Sequence, residues 1–184
     1  MMSLYAFFIW VYNLSMSSEQ YKTSEKKALE LLEKHKIKKP FVDVFYIVEK
    51  EGVDIRFVGM PEGYEMAAGF LDYDENNMAT IYVNKDESAG RQLFTIAHEL
   101  GHYALEHKSK DCEVLLRRPV PGDQKSKEEV EADVFAANLL VPEEMLLEVM
   151  RRYNISRYQE SSLSKIFGVS QTMMKYRLNF LNIG

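Results

Sequence analysis

Cysteine is almost missing from this chain: Cys112 stands alone among 184 residues. One thiol excludes an intramolecular disulfide and a four-cysteine zinc knot, and it suits a reducing, cytoplasmic setting. Proline and glycine are also scarce, at five and nine. With 46% hydrophobic and 28% charged residues, that scarcity excludes collagen-like, low-complexity and largely disordered chains. No uncharged apolar run reaches the ~20 residues that a bilayer span needs. The strongest, Leu4 to Leu14 (LYAFFIWVYNL), has no Lys or Arg ahead of it and so lacks the basic start of a signal peptide. It reads as an extension, residues 1–15, upstream of a natural start at Met16, because MSSEQYKTSEKK is an ordinary helix opening. A segment docked on the protein or a partner, and a weak interfacial anchor, are its other readings.

What remains is long enough for one domain with a real core. The net charge of −5 is unevenly spread: residues 1–150 carry 17 Lys and Arg against 27 Asp and Glu, and residues 151–184 carry six against one. The basic tail is by default a solvated helical surface, and its sharper reading is a contact for something acidic. From Ser18 to His35, Tyr21, Ala28, Leu29, Leu31 and Leu32 form one apolar stripe among charges, the pattern of a surface helix. Pro40 is placed to open a second helix that Gly52 stops. VDIRFV, MAAGFLDYD and MATIYVN, broken by Pro61, Gly63 and the DENN turn at 74–77, predict three strands, the last two a hairpin. A long helix from about Glu87 to Glu106 follows, capped by Asp86. After an irregular stretch over 107–125, Ser126 and Glu129 form a capping box for a helix that runs to Val141. Pro142 opens another, and two more flank a Gly168-Val169-Ser170 turn.

The chemistry sits in His98-Glu99-Leu100-Gly101-His102, an H-E-x-x-H inside the long helix. Histidines at i and i+4 share a face, so both imidazoles can reach one Zn²⁺ while Glu99 acts on a water as general base. With four His and 20 Glu in the chain, chance places this pattern in about one such chain in 100. Two surface histidines on an amphipathic helix are the plainer reading, but Phe94, Ile96, Ala97, Leu100 and Leu105 make this helix apolar around them, and buried imidazoles need partners. Gly101 weakens the helix and marks a close approach.

A catalytic zinc takes three protein ligands, so a third must be found. The metzincin continuation fails, since Leu105 and Lys108 stand where it needs glycine and histidine. His107 lies about 140° round the helix from His102 and is expected at the surface. The helix after Ser126 is apolar nearly all round, and a carboxylate buried there needs a partner. Glu129 and Asp133 share one face, with Glu131 roughly opposite. Glu129 is therefore assigned as third ligand, and Asp133 as the acceptor for a ligand histidine's free ring N–H. Glu128 or Glu131 could replace Glu129, which is also needed by the capping box.

FTIAHELGHYALEH, then EVEADVFAANLLVP, then LSKIFGVSQTMMKYRL together resemble the ImmA/IrrE family of metallo-endopeptidases, from about Met16 to Leu181. The resemblance implies an H-E-x-x-H plus E-x-x-x-D/N zinc peptidase, with Glu129 and Asp133 at the latter positions. It implies an α+β, zincin-like domain over 16–153, with a small three-stranded sheet beside the H-E-x-x-H helix. A helical subdomain with a helix-turn-helix-like pattern, 154–184, is expected to pack on it. It also implies a helix-turn-helix repressor of a mobile element or stress regulon as substrate, in the cytoplasm. An extended substrate would pair with an exposed edge strand, for which ATIYVN, with Thr80, Ile81 and Tyr82, is the candidate. A DNA-binding regulator is the alternative, tested at Lys175 and Arg177, although Met173, Met174, Tyr176 and Leu178 leave few polar groups for base edges. A non-catalytic zinc-binding regulator paired with a helix-turn-helix protein is the third.

Overall fold

The computed structural model describes residues 18–62, 64–65, 67–107 and 126–183. The expected extension over 1–15 and the irregular stretch, His107 apart, lie outside them. Seven helices and three strands are described: α1 (Ser18–Lys34), α2 (Val44–Lys50), β1 (Asp54–Val58), β2 (Gly69–Tyr73), β3 (Ala79–Asn84), α3 (Ala89–Ala104), α4 (Lys127–Leu140), α5 (Glu143–Tyr153), α6 (Glu160–Phe167) and α7 (Gln171–Phe180). The architecture is α+β, with a small sheet beside the H-E-x-x-H helix, as the sequence predicts.

Two helix starts differ from expectation. Asp43 rather than Pro40 opens α2, because its carboxylate accepts the free Tyr46 backbone N–H at 3.1 Å, which a proline side chain cannot do. The N-cap of α3 is Ser88 rather than Asp86. Asp86 is held in the preceding turn, where its backbone N–H donates to Asn84 Oδ1 at 3.0 Å.

The strand order is β1-β3-β2, with β1 parallel and β2 antiparallel to β3. The DENN turn closes the hairpin: Asp74 Oδ1 accepts from the backbone N–H groups of Asn76 and Met78 at 2.9 and 2.8 Å. β3 is thus the central strand, which corrects the expectation that ATIYVN is an edge. Thr80, Ile81 and Tyr82 are paired on both sides, so no peptide can add to them. Ile81 is fully buried, and Tyr82 stacks on Phe70 with ring centroids 4.7 Å apart.

One continuous core joins α1, α2, the sheet, α3 and α4 to Leu163, Phe167, Met174 and Leu178 of the last two helices. α3 and α4 are in close contact at Gly101. A Cβ there would lie 3.0 Å from Phe135 Cδ1 and 3.2 Å from both Ala132 Cα and Ala132 O. At the far end of α4, buried Arg177 donates from Nε to Val141 O at 2.9 Å and from Nη2 to Asn138 Oδ1 at 2.6 Å. Gly168, left-handed at φ +68°, ends α6, and Ser170 Oγ accepts the Met173 N–H to start α7. No helix among the described residues is long and apolar enough to cross a membrane.

Candidate metal centre

The glycine contact sets the site, because it lets the α3 face that carries His98 and His102 lie against the first turns of α4. Ser126 Oγ caps α4 by accepting the Glu129 backbone N–H at 3.3 Å. The cap uses only the backbone of Glu129, so its carboxylate is left to turn toward the histidines. His98 Nε2 and His102 Nε2 are 3.1 Å apart, and each lies 3.4 Å from a Glu129 oxygen. Donor atoms ~2.0–2.1 Å from a tetrahedral zinc are separated by about 3.3–3.4 Å. The two histidine–Glu129 separations, one to each carboxylate oxygen, match that spacing and the imidazole pair is slightly closer; two imidazoles with one carboxylate are a donor set that suits zinc. The residues present therefore fit a metal ion.

Asp133, one turn after Glu129, meets His98 from the other side, its Oδ1 3.0 Å from His98 Nδ1. Burial opposes a charge on His98, but Asp133 and Glu129 outweigh it and raise its pKa to about 10. Glu129 is opposed by burial and favoured by contact with His102 and His98, which hold it far below the usual carboxylate range. Glu99 behaves differently. Burial, with Glu129 nearby, pushes its carboxyl up, against the pull of the two histidines and of a hydrogen bond from the Leu71 backbone. Upward displacement is what a group that takes and returns a proton near neutral pH requires.

His107 was expected at the surface, and the structure corrects this. α3 ends at Ala104, and Glu106 is left-handed at φ +56°. The Glu106 N–H then bonds Tyr103 O and the His107 N–H bonds His102 O, at 3.1 and 3.0 Å. These are the two bonds of a Schellman stop. The turn folds His107 back, so its Nδ1 is 3.0 Å from His102 Nδ1 and its Nε2 3.0 Å from Glu131 Oε2. Burial, with His102 alongside, lowers its pKa. Glu131 meets His107 through Oε2, and its Oε1 accepts from Gln20 Nε2 of α1 at 3.0 Å. The signal that could have found His107 was the helix end. With the Leu71 contact, β2 rather than β3 is the edge strand beside Glu99.

Residues 48–179 match the family described as the IrrE N-terminal-like domain, a peptidase family. Metallopeptidase ImmA of Bacillus subtilis (strain 168) is 31% identical over 114 residues, 61% of this chain and 63% of that protein. Radiation response metalloprotease IrrE of Deinococcus radiodurans is 30% identical over 128 residues, 69% of this chain and 37% of that protein. The chain thus spans less than two thirds of either relative's length. The solved structure titled Mycobacterium tuberculosis transcriptional regulator shares the fold, at a TM-score of 0.54 and 17% identity, over 94% of this chain and 50% of that one.

Proposed function

The chain belongs to the family of IrrE N-terminal-like peptidase domains, and from that premise we propose that it is a zinc-dependent endopeptidase. Its proposed substrate is a helix-turn-helix repressor of a mobile element or stress regulon, so that cleavage derepresses the silenced genes. The observation that carries the reading is the cluster of His98, His102 and Glu129 at 3.1–3.4 Å separations. A zinc ion held by them would supply a Lewis acid for the scissile carbonyl and make a water acidic enough to attack it. Glu99 takes the proton of the attacking water and returns it to the leaving amine. Asp133 accepts the Nδ1–H of His98 and keeps Nε2 free as a donor. The outer edge of β2 is where an extended substrate pairs, next to Glu99.

The substrate class rests on the family resemblance of the three sequence blocks, and the cytoplasmic setting on the lone cysteine. Direct DNA binding is not part of the proposal: Arg177 is committed to the core, as are Met174 and Leu178 of the same helix. Zinc-loaded protein should cut a helix-turn-helix repressor encoded beside its gene at discrete sites. Glu99→Gln should keep fold and zinc and lose cleavage, and an active Glu99→Gln protein would sink the mechanism. Glu129→Ala should lose zinc; wild-type zinc affinity in that variant means the third ligand is another residue.

A further inference from the structure

We propose that His107 and Glu131 are positioning residues for His102, forming a relay that fixes the tautomer and ring orientation in which it can bind a metal. The proposal rests on the reading of His98, His102 and Glu129 as the metal ligands. A histidine that binds through Nε2 carries its proton on Nδ1, and that proton needs an acceptor. His98 has one directly in Asp133, at 3.0 Å. The His102 Nδ1 faces the Nδ1 of another imidazole, that of His107, at 3.0 Å.

Two facing ring nitrogens form a hydrogen bond only if one carries a proton and the other does not. With the proton on His102, His107 must accept at Nδ1 and carry its own proton on Nε2. The Glu131 carboxylate lies at the right place to receive it, at 3.0 Å. Gln20 Nε2 donates to the other Glu131 oxygen at 3.0 Å, which holds that carboxylate toward His107. With both imidazoles neutral, every proton in the row from Gln20 to His102 has one placement, which leaves His102 Nε2 unprotonated and 3.4 Å from Glu129 Oε1. The backbone supports the same reading. Glu106 occupies a left-handed conformation that glycine adopts more readily, and the turn it makes brings His107 under His102.

The test is zinc affinity of the full chain, measured by competition with a chelator, together with the melting temperature of the metal-free protein. His107→Ala and Glu131→Ala should each bind zinc 10- to 100-fold more weakly than wild type, with metal-free melting temperatures close to wild type. His107→Asn places an amide oxygen near the position of Nδ1 and should recover most of the affinity. His107→Gln extends past that position and should not. Unchanged zinc affinity in His107→Ala, or equal recovery by Asn and Gln, overturns the relay. So does an affinity loss matched by a fall in metal-free stability, which would make the residue a packing element. Wild-type protein that takes up no zinc overturns the metal reading beneath it, a result distinct from all of these.

Discussion

Replacing Gly101 by alanine pits helix propensity against packing, and the two predict opposite signs. Alanine is better than glycine inside a helix by about 1 kcal/mol, so an isolated α3 would gain. In the folded protein the new methyl meets Phe135 Cδ1 at 3.0 Å and the Ala132 backbone at 3.2 Å. Phe135 and Ala132 are both fully buried, and one of the two contacts is main chain, so α4 itself must give by a few tenths of an ångström. Overfilling a packed core costs about 1–3 kcal/mol. The net effect is therefore a loss of about 1 kcal/mol, or a Tm lower by about 2–4 °C for a domain of this size. Because Gly101 adjoins His102, the same displacement draws Glu129 away from the histidines, and zinc affinity should fall with stability. Thermal melts with and without zinc, alongside chelator competition, measure both. A Gly101→Ala protein that melts higher than wild type and keeps its zinc affinity refutes the argument that this glycine sets the distance between α3 and α4.

Zinc binding should weaken as pH falls. His98 holds its proton up to about 10 without metal, and a metal accepts only the neutral ring, so loading near neutral pH releases a proton and affinity rises about tenfold per pH unit. Competition titrations at three pH values between 6 and 8 give the slope, and a flat profile contradicts the His98–Asp133 pairing. Arg177→Ala strips donors from Val141 O and Asn138 Oδ1 in the core and should cost about 2–4 kcal/mol, read from denaturant unfolding. Lys175→Ala, on the exposed side of the same helix, should change stability by less than about 0.5 kcal/mol.

The parts of the site that follow from helix periodicity were legible in the sequence. His98 with His102, and Glu129 with Asp133, are spaced one turn apart, and the meeting of those two faces follows from the need to partner carboxylates in an apolar helix. His107 was not legible by the same logic, since extending the helical angle past Ala104 assumes a helix that has already stopped. Strand order was also hidden. Local pattern identifies ATIYVN as a strand, but its central place depends on β1 running alongside it in parallel, a long-range pairing. Arg177 illustrates a third limit: its charge suggests a surface, whereas the end of α4 supplies buried acceptors that make the interior its better place.

A three-stranded sheet with β3 in the middle leaves two strand margins, and only the β2 margin adjoins Glu99. The other, β1, pairs with β3 alone among the described residues and exposes Phe57, so it could recruit a second chain. Unpaired margins of this kind are the usual nuclei of aggregation. β1 is short, and Asp54 and Arg56 stand exposed along it, which places charge of both signs where a foreign strand would have to lie flat. These charges keep the β1 margin from templating strand pairing with unfolded copies of the chain, and leave the proposed peptide pairing to the β2 margin. Neutralising Asp54 and Arg56 would then register as lost solubility, with zinc affinity unchanged.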